Sequence, residues 1–483
     1  MGTNINENTI NEIVSEVVTR LRSVVPSYVP PTPTRSFVGQ FGQFTDLDDA
    51  VVAARQAFEQ LERKSLAERR LAVDAIREVS NANAVEFGTM EMSETKIGRL
   101  DHKIQKQQGV GRSTPGMDFL KSECYSGDNG LTVIEYAPFG VIAACTPVTH
   151  SLPTISCNAI GMISAGNSVV FTPHPGGKRI AALGVKMYNE AIYKAIGIDN
   201  LLTILVEPRV EWVETLFAHK LVSLINVTGG PGVAKVALRQ QKRAIVSGPG
   251  NPPVVVDETA DLDNAARSII FGAAYDNNLL CLAEKEVFVV EAVFDKMMEA
   301  MERAGAMRLS AQEVAQFTEK AMVYVGEGEN RHPAPSRDFL GQSPATMGVH
   351  MGWDIPEKVE LLFGETDESN PFVPVEQMMP FLPFVRCRDV DHGIELAVKY
   401  EHGFHHTGIM HSRNIENLTK MGKAIDTTIF VKNGASTAGL GMGGEGYSSF
   451  SIAGITGEGI TNPLVYTRSR RCTLVDSLHI LGK

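Results

Sequence analysis

Apolar positions recur with a helical period in the first third of the chain and with a mixed strand and helix period beyond it. Ile10, Ile13, Val14, Val17, Val18, Leu21 and Val25 fall at helical spacing, with Asn11, Glu12, Ser15, Glu16 and Arg20 on the other face. This spacing predicts a short amphipathic helix within residues 1–27. Pro26, Pro30, Pro31 and Pro33 come next, so residues 28–36 read as a semi-rigid spacer, because proline cannot continue a helix. A helix carried ahead of such a spacer serves either as a docking peptide or as a helix packed on its own domain or a neighbouring subunit. Ala50, Ala53, Ala54, Ala57 and Leu61, then Leu71, Ile76, Val79 and Phe87, return to helical spacing and predict scaffold helices.

From residue 131 the pattern changes. Strands are predicted at 132–136, 141–144, 168–171, 201–206 and 221–227, with one helix opened by Pro153 and others at 181–195 and 232–239. Strands alternating with helices of this length predict an α/β fold on a parallel, doubly wound sheet, whose ligands lie beyond the carboxyl ends of its strands. A second α/β run has strands at 253–256 and 286–290 and a helix at 294–304. In the tail, Val465, Tyr466, Thr467, Thr473, Leu474 and Val475 flank a basic turn expected at 468–471 and predict strands that pair outside the domain.

Composition narrows the function classes. A chain of 483 residues exceeds what one core usually serves, so two or three folded domains are expected. With 45 Lys+Arg against 56 Asp+Glu the net charge is −11, which argues against nucleic acid as the main partner. No apolar run approaches the roughly 20 residues that cross a bilayer, and the polar residues Thr3, Asn4, Asn6, Glu7 and Asn8 do not resemble a secretory signal. The cysteines Cys124, Cys145, Cys157, Cys281, Cys387 and Cys472 show no C-x-x-C spacing, so neither a disulfide framework nor a zinc ribbon is expected, and a reducing cytoplasmic setting is inferred.

Three groups of residues could carry chemistry. Thr228-Gly229-Gly230-Pro231-Gly232 joins an apolar strand to a helix, where backbone N–H groups can face a pyrophosphate, although Lys235 stands where the last glycine of G-x-G-x-x-G would be. Cys281 lies in a polar loop, unlike Cys145 and Cys157 in their apolar surroundings, and a nucleophilic thiol needs such access. His402, His405, His406 and His411 include an i, i+4 pair that could ligate a metal if helical. Gly403 and the missing third ligand type favour a surface or substrate-lining cluster, so no metal is expected.

Ala137-Pro138-Phe139-Gly140-Val141-Ile142, Ala165-Gly166-Asn167-Ser168, Thr228-Gly229-Gly230 and Glu376-Gln377-Met378-Met379-Pro380, in that order around Cys281, resemble the aldehyde dehydrogenase superfamily. The likeness runs from about residue 38 to the C-terminus. Thr172-Pro173-His174-Pro175, Asn277-Asn278-Leu279-Leu280-Cys281-Leu282-Ala283-Glu284-Lys285 and Glu401-His402-Gly403 with His406-Thr407 are similar to its CoA-acylating branch, and there to the propionaldehyde or acetaldehyde dehydrogenases of bacterial microcompartments.

The resemblance implies the aldehyde dehydrogenase fold: a Rossmann-like NAD-binding domain (37–121 and 137–246), an α/β catalytic domain (247–440) and a small β oligomerisation element (122–136 and 462–483). It implies a homodimer or homotetramer. It also makes residues 1–27 an encapsulation peptide for a shell protein, placing the chain inside a cytoplasmic microcompartment. Catalysis is implied for Cys281 and Thr149, and cofactor binding for Thr146, Pro147, Thr172, Pro173, His174, Thr228, Gly229, Gly230, Gly248 and Glu376. In the implied mechanism the Cys281 thiolate attacks a short-chain aldehyde to give a thiohemiacetal. Hydride transfer to NAD leaves a thioacyl-enzyme, and coenzyme A takes up the acyl group, reversibly.

Departures from the family pattern bear on this reading. Aldehyde dehydrogenases that hydrolyse the acyl-enzyme carry a water-activating glutamate in Glu-Leu-Gly-Gly. Here the stretch reads Val246-Ser247-Gly248-Pro249-Gly250-Asn251-Pro252, and aligned on Gly248 and Pro252, Val246 replaces that glutamate and can accept no proton. Losing the base leaves time for a thiol acceptor. Thr149 stands where many relatives hold the oxyanion with asparagine, and its hydroxyl, with the Cys281 N–H, can donate to an oxyanion; otherwise Thr149 and His150 only shape the loop. Thr172 replaces a lysine used toward the adenosine ribose, which leaves NAD over NADP open, and Glu376 matches the carboxylate for the nicotinamide ribose. His405 stands where close relatives often have arginine. The rival readings are a hydrolytic NAD(P)-dependent aldehyde or semialdehyde dehydrogenase and a weakly catalytic cargo or scaffold protein.

Overall fold

Helices Leu47–Leu61, Leu66–Ala82, Ala84–Thr95 and Leu100–Ser113 lead the described chain in a computed structural model that describes residues 35–328 and 331–480. The predicted amphipathic helix at 1–27, and residues 28–34 of the spacer, lie outside the described residues. The chain divides after Val38: of the first unit only residues 35–38 are described, and the helices and sheets all belong to the unit Gly39–Lys483. Asp46 caps the first helix by accepting from the Asp49 N–H, and a Ser65–Glu68 capping box opens the second. The stripe Ala50, Ala53, Ala54, Ala57 and Leu61 is buried as its spacing predicts. Leu71 is not: it is 52% exposed, because the buried stripe of its helix runs through Ala72, Val73 and Ile76.

Two parallel sheets come after these helices. The first has the strand order Gln43–Phe44, Leu202–Leu205, Ser168–Pro173, Val141–Thr146, Val222–Thr228, Ala244–Ser247. Its inner strands are buried along their length and accordingly read as continuous apolar runs. Chain order reverses on the two sides of Val141–Thr146, which opens a crevice at its carboxyl end. Helix Ser151–Ser164 begins two residues ahead of Pro153, which sits inside its first turn, where proline's missing N–H costs nothing.

The second sheet orders Met307–Arg308, Leu362–Thr366, Phe381–Cys387, Glu286–Val290, Pro253–Val256, Thr407–His411, Ile429–Lys432, again all parallel. Separate apolar cores back the two sheets: Ile142, Ile155 and Phe171 belong to one, and Val254, Val287 and Phe384 to the other.

A third, antiparallel sheet joins Glu123–Gly127, Gly130–Pro138 and Thr467–Val475. The expected basic turn at 468–471 is not a turn. Arg468, Ser469, Arg470 and Arg471 pair in register with Ala137, Tyr136, Glu135 and Ile134 inside one continuous strand. The ribbon is exposed along this stretch, so its arginines are solvated, and Arg470 stands opposite Glu135.

Candidate functional site

Beyond the carboxyl ends of the first sheet and before the amino ends of the second lies a cleft of about 430 Å³. On the first side the strand Val141–Thr146 delivers Thr146, Pro147 and Thr149, and Ser168–Pro173 delivers Thr172, Pro173 and His174. Val222–Thr228 leads into Thr228, Gly229 and Gly230, and Ala244–Ser247 into Gly248. Helix Pro231–Leu238 opens there with Gly230 as its N-cap and no side-chain cap, so its first N–H groups are left for a ligand. A Cβ placed on Gly230 would meet nothing within 4 Å, which leaves room for a phosphate against the backbone. These features fit a dinucleotide pyrophosphate.

The second sheet supplies residues just ahead of its strands: Gly250 before Pro253–Val256, Cys281 before Glu286–Val290, Glu376 before Phe381–Cys387 and His406 before Thr407–His411. Of these, Cys281, Glu376 and His406 line the cleft. Cys281 is reached through Asp276, Asn277 and Asn278, all with positive φ (50°, 54° and 65°). Asp and Asn tolerate this conformation because their side chains bond nearby backbone. Asn277 Nδ2 donates to the Gly98 and Gly341 carbonyls, and Asn278 Nδ2 to those of Ala273 and Glu284. Lys285 Nζ closes the loop by donating to Asn278 O at 3.0 Å and Oδ1 at 2.7 Å. A Cβ on Gly250 would stand 2.4 Å from the Cys281 carbonyl oxygen and 3.1 Å from the His406 ring, so both groups press against that glycine.

A buried ion cluster ties the two sides together. Asp276 accepts from Lys106 at 2.5 Å and stands 3.5 Å from Lys103, which also meets Glu91 at 3.3 Å; all four side chains are nearly inaccessible. Both lysines donate to the Thr149 carbonyl, at 2.8 Å from Lys103 and 3.2 Å from Lys106. Charges this deeply buried persist only when paired, so the cluster fixes the Thr149 turn relative to the Cys281 loop.

The electrostatics stem from the same burial. Cys281 is partly open at the cleft surface, yet its enclosed surroundings, with the Glu376 carboxylate second, push its thiol up to about 12, while Lys285 pulls the other way. Burial also raises Glu376, against the pull of Lys285 and of the nearby Gly250 N–H. His406 is pushed down to about 4, by burial first and Lys285 second, and is neutral; its Nδ1 meets Thr407 Oγ1 at 2.9 Å and its Nε2 has no partner. Val246 lies in the sheet with its N–H on Thr456 Oγ1 at 3.0 Å and does not line the cleft. Glu376 is the one carboxylate that does, among the described residues.

Every residue singled out from the sequence for catalysis or cofactor binding lines this one cleft. The histidines separate instead of forming a cluster. His402 and His405 are exposed and bonded to the Pro374 and Asp426 carbonyls, and both have positive φ, so the helical i, i+4 metal pair that His402 and His406 could make is not formed. His406 alone of that stretch enters the cleft. Lys103 and Lys106 carried no sequence signal, and Lys285 marked only the end of the motif around Cys281. On helix Leu100–Ser113 the buried stripe is Lys103, Lys106, Gln107 and Val110, a polar pattern that reads as a solvated face until its ionic partners are known. Asp276-Asn277-Asn278 held the usable hint, three successive residues tolerant of the left-handed region.

Comparison with known proteins places the chain. Residues 23–318 match the sequence model of the Aldehyde dehydrogenase family. Acetaldehyde dehydrogenase (acetylating) EutE of Salmonella typhimurium is 43% identical over 99% of this chain and 100% of its own length. Propanal dehydrogenase (CoA-propanoylating) of Citrobacter freundii is 38% identical over 96% and 99%. The crystal structure of Rhodopseudomonas palustris propionaldehyde dehydrogenase with bound CoA and an acylated cysteine superposes with a TM-score of 0.87 at 41% identity, over 91% of this chain and 100% of that one. The propionaldehyde dehydrogenase of the Clostridium phytofermentans fucose utilisation bacterial microcompartment has a TM-score of 0.87 at 38% identity, over 91% and 100%.

Proposed function

The chain belongs to the aldehyde dehydrogenase family, and from that premise we propose that it oxidises a short-chain aldehyde to the acyl-CoA, with NAD and coenzyme A, reversibly. The observation that carries this reading is a partly open thiol, Cys281, in a cleft whose other wall fits a dinucleotide, while the position that would hold a hydrolytic glutamate is Val246, buried in the sheet.

Cys281 Sγ attacks the aldehyde carbon, and the charge that develops on oxygen is met by the Thr149 hydroxyl and the Cys281 N–H. Bound NAD supplies the hydride acceptor. Glu376 would hold the nicotinamide ribose by accepting from its hydroxyls, and the free N–H groups of helix Pro231–Leu238 would hold the pyrophosphate. What remains on Cys281 is a thioester. With no general base at Val246, water attacks it slowly, and the coenzyme A thiol displaces Cys281 to release acyl-CoA.

The chain is divided accordingly into an NAD-binding part (37–121 and 137–246), a catalytic part (247–440) and an oligomerising ribbon (122–136 and 462–483) that builds a homodimer or homotetramer. Residues 1–27 dock the enzyme to the shell of a bacterial microcompartment, a reading supported by the microcompartment origin of one structural relative. Among the described residues no helix is long and apolar enough to cross a membrane.

NADH formation from propanal and from ethanal, with and without coenzyme A, tests the reaction. Turnover that needs both coenzyme A and Cys281 is expected. Free acid formed without coenzyme A would sink the acyl-transfer reading and point to Glu376 as a water-activating base. Deleting residues 1–27 should leave turnover intact and abolish recovery with shells.

A further inference from the structure

Thr149 is followed by a histidine that is 4% exposed and stands between two polar groups. His150 Nε2 lies 3.1 Å from Thr149 Oγ1, and His150 Nδ1 lies 3.3 Å from Lys106 Nζ. The Lys106 ammonium has three protons and three acceptors: Asp276 Oδ2, the Thr149 carbonyl and His150 Nδ1. An ammonium can only donate, so Nδ1 must be the acceptor. Burial, with Lys106 and Lys103 next, holds the His150 ring neutral, so its single proton sits on Nε2. That proton is donated to Thr149 Oγ1. A hydroxyl that already accepts from His150 has its one proton left to give elsewhere, and Thr149 borders the cleft that holds Cys281.

We propose that Lys106 and His150 form a fixed hydrogen-bond relay that turns the Thr149 hydroxyl proton into the cleft, toward the carbonyl oxygen of an aldehyde joined to Cys281. Lys106 and His150 are positioning residues and touch no reacting atom; Thr149 makes the contact. Without the relay the hydroxyl is free to turn its proton to His150 or to water. The inference rests on the reading of Thr149 as an oxyanion donor, and the geometry adds what makes a rotatable hydroxyl serve where a rigid side-chain amide would need no such help.

A double-mutant cycle on the full chain separates the two. Thr149→Val should lower kcat by about 100-fold or more, the usual effect of removing one oxyanion donor, while Thr149→Ser keeps most of the activity. His150→Phe should lower kcat by about tenfold with little change in aldehyde KM, the pattern of an interaction made mainly in the transition state. His150→Gln retains a donor toward Thr149 and an acceptor toward Lys106, and should restore most of that loss. In the Thr149→Val background His150→Phe should have no further effect on kcat, since the hydroxyl it positions is gone. Lys106→Met, which leaves Asp276 paired with Lys103, gives the same cycle if His150→Phe does not fold. Full activity in Thr149→Val overturns the oxyanion reading itself. A loss in Thr149→Val with a fully additive loss from His150→Phe or Lys106→Met keeps that reading and overturns the relay.

Discussion

The two parallel sheets meet the cleft with opposite ends. The first contributes residues just past the carboxyl ends of its strands, the second residues just ahead of the amino ends. At the glycine turn of the first side the backbone is left open to a ligand: Gly229 and Gly230 have ordinary φ, and helix Pro231–Leu238 starts with no side-chain cap. On the second side Asp276, Asn277 and Asn278 are left-handed in succession, four hydrogen bonds from two asparagine side chains fix them to the backbone, and Lys285 bonds the last of them. The open side suits ligands that must enter and leave, since free N–H groups bind anions without a preformed lid. The held side suits a nucleophile, because near-attack geometry loses rate steeply with small displacements. A cleft that takes a dinucleotide and then a coenzyme A thiol needs both properties, and the structure gives one to each sheet.

Substitutions can break or sharpen this contrast. Cys281→Ala should abolish acyl-CoA formation outright while leaving NAD binding, read by fluorescence titration, unchanged. Gly250→Ala comes next: its added Cβ would lie 2.4 Å from the Cys281 carbonyl oxygen, and shifting the nucleophile by a fraction of an ångström should lower kcat by about 100-fold at unchanged NAD affinity. Asn278→Ala removes two backbone hydrogen bonds and one partner of a buried lysine at a left-handed position. It should cost about 2–4 kcal/mol of stability in urea unfolding.

Smaller effects read the charges. With its thiol pushed up to about 12, Cys281 in the free enzyme carries a thiolate fraction that grows tenfold per pH unit, so alkylation by iodoacetamide should rise with unit slope from pH 7 to 10. A plateau near pH 8 would contradict this. Glu376 raises that pKa by charge repulsion, so Glu376→Gln should speed alkylation a few-fold at fixed pH. Smallest of all, Gly230→Ala meets open space, should leave kcat unchanged and should raise the KM for NAD by only a few-fold. Equal damage from Gly230→Ala and Gly250→Ala would erase the distinction between the two sides.

The first side was the legible one. Its strands are continuous apolar runs, the residues expected to bind cofactor line the cleft where a doubly wound sheet puts ligands, and Thr228-Gly229-Gly230 marks the turn. Even motif residues with no ligand role declare themselves there: Asn167 Oδ1 accepts from the Phe139 and Gly140 N–H groups, which binds two of the family motifs to each other. The tail was misread because alternate arginines in an exposed strand have the composition of a turn. The second side obeyed no strand-end rule: the polar loop pointed to Cys281, and only the resemblance added Glu376.

Local sequence determined the α/β class, most of the element positions and the thiol that sits apart from buried cysteines, because periodicity and turn chemistry act over a few residues. The absence of a carboxylate at Val246 was likewise readable, since one side chain either can or cannot accept a proton. Only the tertiary structure decided that Glu91, Lys103, Lys106 and Asp276 neutralise one another beneath Thr149. It also decided that His406, and neither His402 nor His405, enters the cleft. The reason is physical: whether a charged or titratable side chain is solvated, paired or poised depends on partners far away in sequence, and those partners are brought together only when the two sheets close on one cleft.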